Sequence, residues 1–315
     1  MTHQGPVLAL SGGVGGAKLA LGLYRVLAPD ALTVIANPGD DFEHLGLTIC
    51  PDLDTLVYTL SGEANTELGW GRRGETWTFM AALEKLGGES WFKLGDGDLA
   101  THVERTRRLA AGESLSAITD DFRRRLGIAA RLLPTSDDRV RTGLDTNQGR
   151  LDFQDYFVRL HCEPVVQRLE FVGAEAARPN PDFLAALADP DLRAVVICPS
   201  NPFISIDPIL AVPGVRQALR EFRAPVVAVS PIIAGKAVKG PTAKMMAELG
   251  LPVDAAAVAR HYRDFLDTYI ADEGDRDAVA GLDVPVILAP TLMVTLEDRE
   301  RLARIVLTAA DRARG

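Results

Sequence analysis

The chain is short of cysteine, of aromatic residues, of net positive charge and of long apolar runs, and each shortage removes a class of function. Cys50, Cys162 and Cys198 are the three cysteines among 315 residues, and they show no paired spacing. That disfavours a disulfide framework and a cysteine zinc site, and suits a reducing cytoplasm. Aromatic residues make up 6% of the chain, so the clustered tryptophans discussed below stand out. A formal net charge of −9 lacks the basic footprint of nonspecific nucleic-acid binding. The basic clusters, Arg105 with Arg107 and Arg108 and the run Arg123 to Arg125, read as solvated helix faces. No run approaches the roughly 20 apolar residues of a membrane-spanning helix, and no signal core follows the first five residues. A cytoplasmic location is expected. Without a defensible Ser-His-Asp order, paired-histidine motif or Cys-His pair, covalent catalysis is not expected either.

What is present is an alternation. Apolar runs at Val7–Leu10, Leu32–Ala36, Ala194–Ile197, Pro225–Val229 and Val284–Leu288 suit parallel strands covered on both faces. Helical patterns lie between them, at Gly214–Phe222 and Pro241–Leu249, and a last helix over Leu296–Ala310 takes Thr295 as N-cap with Asp298 three residues on. The expected fold is α/β, a Rossmann-like, doubly wound, mostly parallel sheet. Residues 1–65 and 173–315 form the core. Residues 66–172 break the rhythm with helical segments Thr76–Leu86, Leu99–Ala111 and Leu115–Leu126, then alternating runs at Arg150–Leu160 and Val165–Val172. They read as a mainly helical insertion with a small antiparallel element, covering the active site.

In an open α/β sheet, ligands sit beyond the carboxyl ends of the strands, and here those ends carry four polar loops. The first is Ser11-Gly12-Gly13-Val14-Gly15-Gly16-Ala17-Lys18. A strand entering a glycine turn at a helix start can hold an anion. It is not a Walker A loop, since Leu19 follows Lys18, and not a dinucleotide fingerprint, since Lys18 holds the final glycine position. The second loop, Asn37-Pro38-Gly39-Asp40-Asp41, combines with Pro51-Asp52-Leu53-Asp54-Thr55 to offer four aspartates. Asp40, Asp41, Asp52 and Asp54 are candidate ligands for Mg²⁺, which takes carboxylate oxygens while also binding substrate phosphate; helix capping by Asp52 and turn formation by Asp40 are the plainer roles. Ser200 and Asn201 follow the third core strand, and Ser230, Gly235, Lys236 and Lys239 follow the fourth, as donors around a diphosphate. In the insertion, Asp98 and His102 offer a carboxylate and an imidazole one helical turn apart. Trp70 and Trp77, flanking Arg72 and Arg73, could be a platform for a flat ring or simple packing.

The ordered set of motifs resembles the CofD/FbiA family, the 2-phospho-L-lactate transferase of coenzyme F-420 biosynthesis. The resemblance runs from about residue 7 to about residue 308 and includes Gly69 to Trp77, Leu94 to His102, Arg131 to Asp137, Pro199 to Pro202 and Ser230 to Lys236. It implies transfer of a phospho-three-carbon-acid group, 2-phospholactate or its phosphoenolpyruvate counterpart in bacteria, from a guanosine diphosphate ester. The acceptor is the terminal ribityl hydroxyl of the deazaflavin Fo, and GMP leaves. It also implies Mg²⁺ and a homodimer. On that reading Asp41, Asp52 and Asp54 are catalytic candidates, with one aspartate as base toward the hydroxyl. Gly12, Gly13, Gly15, Gly16 and Lys18 face Fo or the reacting phosphate. Ser200, Asn201 and the Ser230–Lys239 loop hold the guanosine diphosphate, while Trp70, Trp77, Asp98 and His102 line the deazaflavin side. The first rival is a non-enzymatic, nucleotide-sugar-binding regulator of the same fold, which by resemblance lacks the Pro-Asp-Leu-Asp-Thr segment and the Trp-rich stretch. The second, a nicotinamide oxidoreductase, wants an acidic residue closing the second strand, where Asn37 stands.

Overall fold

Seven short strands, five of them on the apolar runs named above, form one all-parallel sheet in the computed structural model, which describes residues 5–238 and 240–314. The strands are β1 (Val7–Ser11), β2 (Leu32–Ala36), β3 (Arg131–Pro134), β4 (Ala194–Ile197), β5 (Val226–Val229), β6 (Thr268–Ala271) and β7 (Val286–Leu288). Their spatial order is β7-β6-β5-β4-β1-β2-β3. Val7 of β1 pairs with Leu32 on one side and Ala194 on the other, so the chain winds outward in both directions from β1. The gap beyond β1 and β4 is the switch point at which such sheets bind ligands.

Successive side chains of a strand point to opposite faces, and both faces here are covered. Leu8 and Leu10 pack with Phe183, Val215 and Met245; Val7 and Ala9 pack with Leu19, Leu56, Leu302 and Val306. The second layer holds α1 (Gly13–Val26) and α2 (Pro51–Ser61), together with the C-terminal helix Leu296–Ala313. That last helix begins where expected. Thr295 accepts from the Asp298 amide, and the Asp298 side chain accepts from the Thr295 amide, a reciprocal capping box.

Two of the seven strands lie outside the apolar runs identified in the sequence. Thr268–Ala271 is one. The other, Arg131–Pro134, lies inside the segment read as an insertion yet returns to the sheet edge beside β2. The α-helices of this segment are Thr78–Lys85, α3 (Asp96–Ala110) and α4 (Leu115–Arg125), of which α4 packs on this strand. A three-stranded antiparallel sheet places Arg141–Thr146 between Gly149–Asp152 and Val166–Val172. The alternating run expected over Arg150–Leu160 is extended only to Asp152, and a π-helical turn, Asp155–Arg159, follows. Among the described residues no helix is long and apolar enough to cross a membrane.

Candidate active site

The glycine turn is held by side chains from neighbouring loops. Gly12 is extended and Gly13 turns with φ +64°, a conformation that favours glycine. Ser200 Oγ donates to the Gly12 carbonyl at 2.8 Å and accepts from the Gly12 amide at 3.2 Å. The Gly13 amide donates to Asp52 Oδ1 at 2.6 Å. Asp52 sits in the first turn of α2 but reaches across to the start of α1, so one anion already occupies the first helical amide. The next two amides, at Val14 and Gly15, precede the first intrahelical bond, and both residues line the cavity. Their position suits a phosphate oxygen.

Asn37, at the end of β2, organises the carboxylates. Its Nδ2 lies 2.8 Å from Asp40 Oδ1, 2.9 Å from Asp52 Oδ2 and 3.0 Å from the Ile204 carbonyl, while its Oδ1 accepts from the Gly39 amide. Gln154 Nε2 donates to the Asp40 carbonyl and ties the antiparallel sheet to this loop. Burial raises the pKa of both carboxyls, and the Asp52 charge raises Asp40 further; the bonds from Asn37, and from Gly13 to Asp52, oppose the shift without cancelling it. Two crowded, mutually repelling carboxylates fit a hard divalent cation, which neutralises both. Among the described residues no group of three or more His, Cys, Asp or Glu is gathered at one point. The remaining ligands would therefore come from substrate phosphate and water, as Mg²⁺ prefers.

Above this floor opens a cavity of about 670 Å³. One wall is the core, with Pro199, Asn201, Ser230 and Thr242. The facing wall comes from α2 and the insertion, with Tyr58, Trp70, Trp91, Phe92, Asp98 and His102. Trp70 and Trp77 meet edge to face at 6.4 Å, and Phe153 stacks on Phe157 at 5.3 Å. The cavity is thus polar at its base and aromatic along one side. That arrangement suits a diphosphate joined to, or meeting, a flat ring.

The family model described as 2-phospho-L-lactate transferase CofD matches residues 7–285. The chain belongs to the CofD family. It is therefore a transferase of coenzyme F-420 biosynthesis, as the ordered motifs implied. A phosphoenolpyruvate transferase of Kitasatospora aureofaciens is 43% identical over 318 residues, covering 98% of both chains. One of Mycobacterium tuberculosis is 40% identical over 332 residues, again covering 98% of each. A crystal structure of a upf0052-family protein of Bacillus halodurans shares the fold, with a TM-score of 0.63 over 96% of this chain and 99% of that one at 15% identity.

In this CofD-family chain the four aspartates do not act as one cluster. Asp40 and Asp52 face the cavity together. Asp54 also lines it but is claimed by Arg105, whose Nη1 donates to Oδ2 at 3.1 Å while Nη2 bonds Oδ1. Asp41 turns inward beside Cys50, where burial raises its pKa against the pull of Arg105. Gly12, Gly13, Gly15 and Lys18 line the cavity, and Lys18 Nζ donates to the Met293 carbonyl at 3.0 Å. Gly16 lies behind them, where a Cβ would come within 2.5 Å of Ser11 Oγ and Ser200 Oγ. Ser200, Asn201 and Ser230 reach the cavity. Gly235 and Lys236 do not. The Gly235 amide is taken by Asp275, and Lys236 lies exposed on a two-stranded hairpin. Lys239 lies outside the described residues. Trp77 faces an adjoining recess shared with Trp70 and Asp98.

Arg105, read as part of a solvated basic face, is buried at 2% exposure. The spacing Asp98, His102, Arg105 along one helical face carried that signal, because those positions are i, i+4 and i+7. In the sequence Asn37 stands as the first residue of the aspartate loop and as the non-acidic end of the second strand, and nothing local marks it as the partner of both Asp40 and Asp52. Tyr58 was not singled out at all.

Proposed function

We propose that this protein transfers a phosphoenolpyruvate-type group from its guanosine diphosphate ester to the terminal ribityl hydroxyl of Fo. The oxygen of that hydroxyl forms a bond to the phosphorus bearing the acid, the phosphorus–oxygen bond to GMP breaks, and the hydroxyl proton is lost to a base. The observation that carries this reading is the Asp40–Asp52 pair beside the start of α1, on the floor of a cavity walled by both core loops and aromatic insertion residues. The enolpyruvate form of the acid is supported by the names of relatives 40–43% identical.

Asp40 and Asp52 would hold Mg²⁺, which stabilises charge on the diphosphate oxygens. The amides of Val14 and Gly15 receive a phosphate oxygen, and Ser200 keeps the turn in register by bonding Gly12 from both sides. Asp52 has both oxygens engaged, by Gly13 and Asn37, whereas Asp40 has only Oδ1 bonded to Asn37. Asp40 Oδ2 is therefore the group placed to take the hydroxyl proton. Reaction of this kind needs mainly positioning and charge stabilisation.

Incubation with Fo, Mg²⁺ and, separately, the enolpyruvyl, lactyl and glyceryl guanosine diphosphate esters tests the reading by mass spectrometry. The enolpyruvyl ester should give the fastest conversion to a phosphodiester of Fo. No phosphodiester from any ester would overturn the activity; faster use of the lactyl ester would overturn the choice of acid. The resemblance also implies a cytoplasmic homodimer, which light scattering of the purified protein checks for the dimer.

A further inference from the structure

A buried polar relay joins α2 to α3, and the transfer step makes no use of it. Asp98, His102 and Arg105 occupy one face of α3, opposite Asp54 and Tyr58 of α2. His102 and Arg105 are the buried residues of α3, each 2% exposed. Arg105 grips both oxygens of Asp54, and its Nη1 also lies 3.3 Å from His102 Nδ1. A guanidinium donates only, so Nδ1 must be the acceptor. The ring proton therefore sits on Nε2, which lies 3.1 Å from Asp98 Oδ2 as a close charge contact and not an aligned hydrogen bond. Asp98 Oδ1 accepts the Tyr58 hydroxyl at 2.6 Å. A carboxylate has about four lone-pair sites, so Asp98 keeps accepting capacity after both contacts, and it lines both the main cavity and the Trp70 recess.

We propose that Arg105 is a positioning residue for the acceptor substrate. By fixing His102 as the Nε2–H tautomer it orients Asp98 as an anionic acceptor that selects a flat heterocycle bearing an N–H. Position separates this role from the transfer step. Tyr58 stands six residues along α2 from Asp52, about 9 Å of helix, so Asp98 serves the ring end of the acceptor and not its reacting hydroxyl. Burial alone would raise the Asp98 carboxyl, but His102, Tyr58 and Arg105 hold it below the usual carboxylate range. A charge-assisted bond to the pyrimidinedione N–H of a deazaflavin follows. A site built this way disfavours an analogue lacking the N–H, because the remaining acceptor site of Asp98 is then covered without a donor.

The identity of the ring rests on the proposed function, and calorimetry separates the two claims. Fo and its analogue methylated at the pyrimidinedione nitrogen are titrated into wild type, Asp98→Asn, His102→Gln and Arg105→Lys, with the guanosine diphosphate ester titrated in parallel. Wild type should bind Fo at least tenfold more tightly than the methylated analogue, and Asp98→Asn should erase that preference. Arg105→Lys, whose side chain does not line the cavity, should weaken Fo three- to tenfold and shrink the preference. Ester affinity and kcat at saturating Fo should stay unchanged, a split that loss of packing alone would not produce. If Arg105→Lys fails to fold, His102→Gln decides by the Fo preference alone, which it should shrink. Wild type that binds no Fo overturns the proposed function and this inference with it. Wild type that binds Fo, beside an Arg105→Lys protein that discriminates equally well, overturns the inference alone.

Discussion

Gly15 has room for a hydrogen and nothing larger. A Cβ there would stand 2.6 Å from the Pro199 carbonyl oxygen, a backbone atom that can yield only by moving the loop that carries Ser200. Gly15→Ala should therefore cost about 1–3 kcal/mol of stability, the usual range for forced overpacking. It should also lower kcat/KM at least tenfold, because the displaced loop also grips Gly12. Thermal melting and steady-state kinetics on the same preparation check both. Asp40→Asn separates charge from shape at the same site. The new amide keeps an oxygen toward Asn37 and presents nitrogen to the cavity. It removes a charge that burial and Asp52 both oppose, so melting in EDTA should be unchanged or higher while kcat/KM falls about a hundredfold, within the usual span for loss of an acid–base group. A variant that melts lower and turns over normally would place Asp40 in the scaffold instead.

Helix starts were the most legible elements of this chain, and charged helix faces the least. The Thr295–Asp298 capping box was readable because its two partners are three residues apart and depend on nothing distant. Thr295→Ala should cost about 1 kcal/mol, as cap losses do. The Asp298 carboxyl is pulled down to about 2, first by the Thr295 amide, then by the Val294 amide and Arg301, against a burial penalty. A carboxyl depressed in the fold contributes stability that is present above its unfolded value, about 3.9, and lost as pH falls toward about 2. Asp298→Asn should thus melt below wild type at pH 7 and converge on it near pH 2; a gap independent of pH would mean the side chain acts through packing. Arg105 shows the opposite case. Its neighbours Arg107 and Arg108 pair with Glu104, Glu113 and Asp121 near the surface, and in sequence all three arginines look alike. Only the partner Asp54, 51 positions earlier, tells them apart, and that partner is set by tertiary packing.

Across the whole molecule, the readable strands are those made mostly of branched apolar residues, whether buried along their length or, like Val286–Leu288, half-buried at the sheet edge. The two that escaped are Thr268–Ala271, whose Thr and Tyr interrupt the apolar run, and Arg131–Pro134, an edge strand opening on a charge and ending on proline. The latter matters for the site, since it brings the chain back to the sheet beside β2 and frames the Asn37–Asp41 loop. Core and insertion therefore share the cavity and are not separable by a single cut. A ligand spanning the polar floor should stabilise the native state as a whole, by about 2.7 kcal/mol at a hundred times its Kd. For a chain larger than 250 residues, with about 2–4 °C per kcal/mol as the upper guide, that is a rise of several degrees. GDP with Mg²⁺ should produce it in a single melting transition, and EDTA should abolish most of it, because Asp40 and Asp52 repel the diphosphate without a cation between. NAD should produce none, since Asn37 leaves no carboxylate at the end of β2 for ribose hydroxyls and is itself committed to Asp40 and Asp52. Equal stabilisation by NAD would mean that the switch point reads a dinucleotide after all, and that the pairing of Asp40 with Asp52 serves the loop and not a metal.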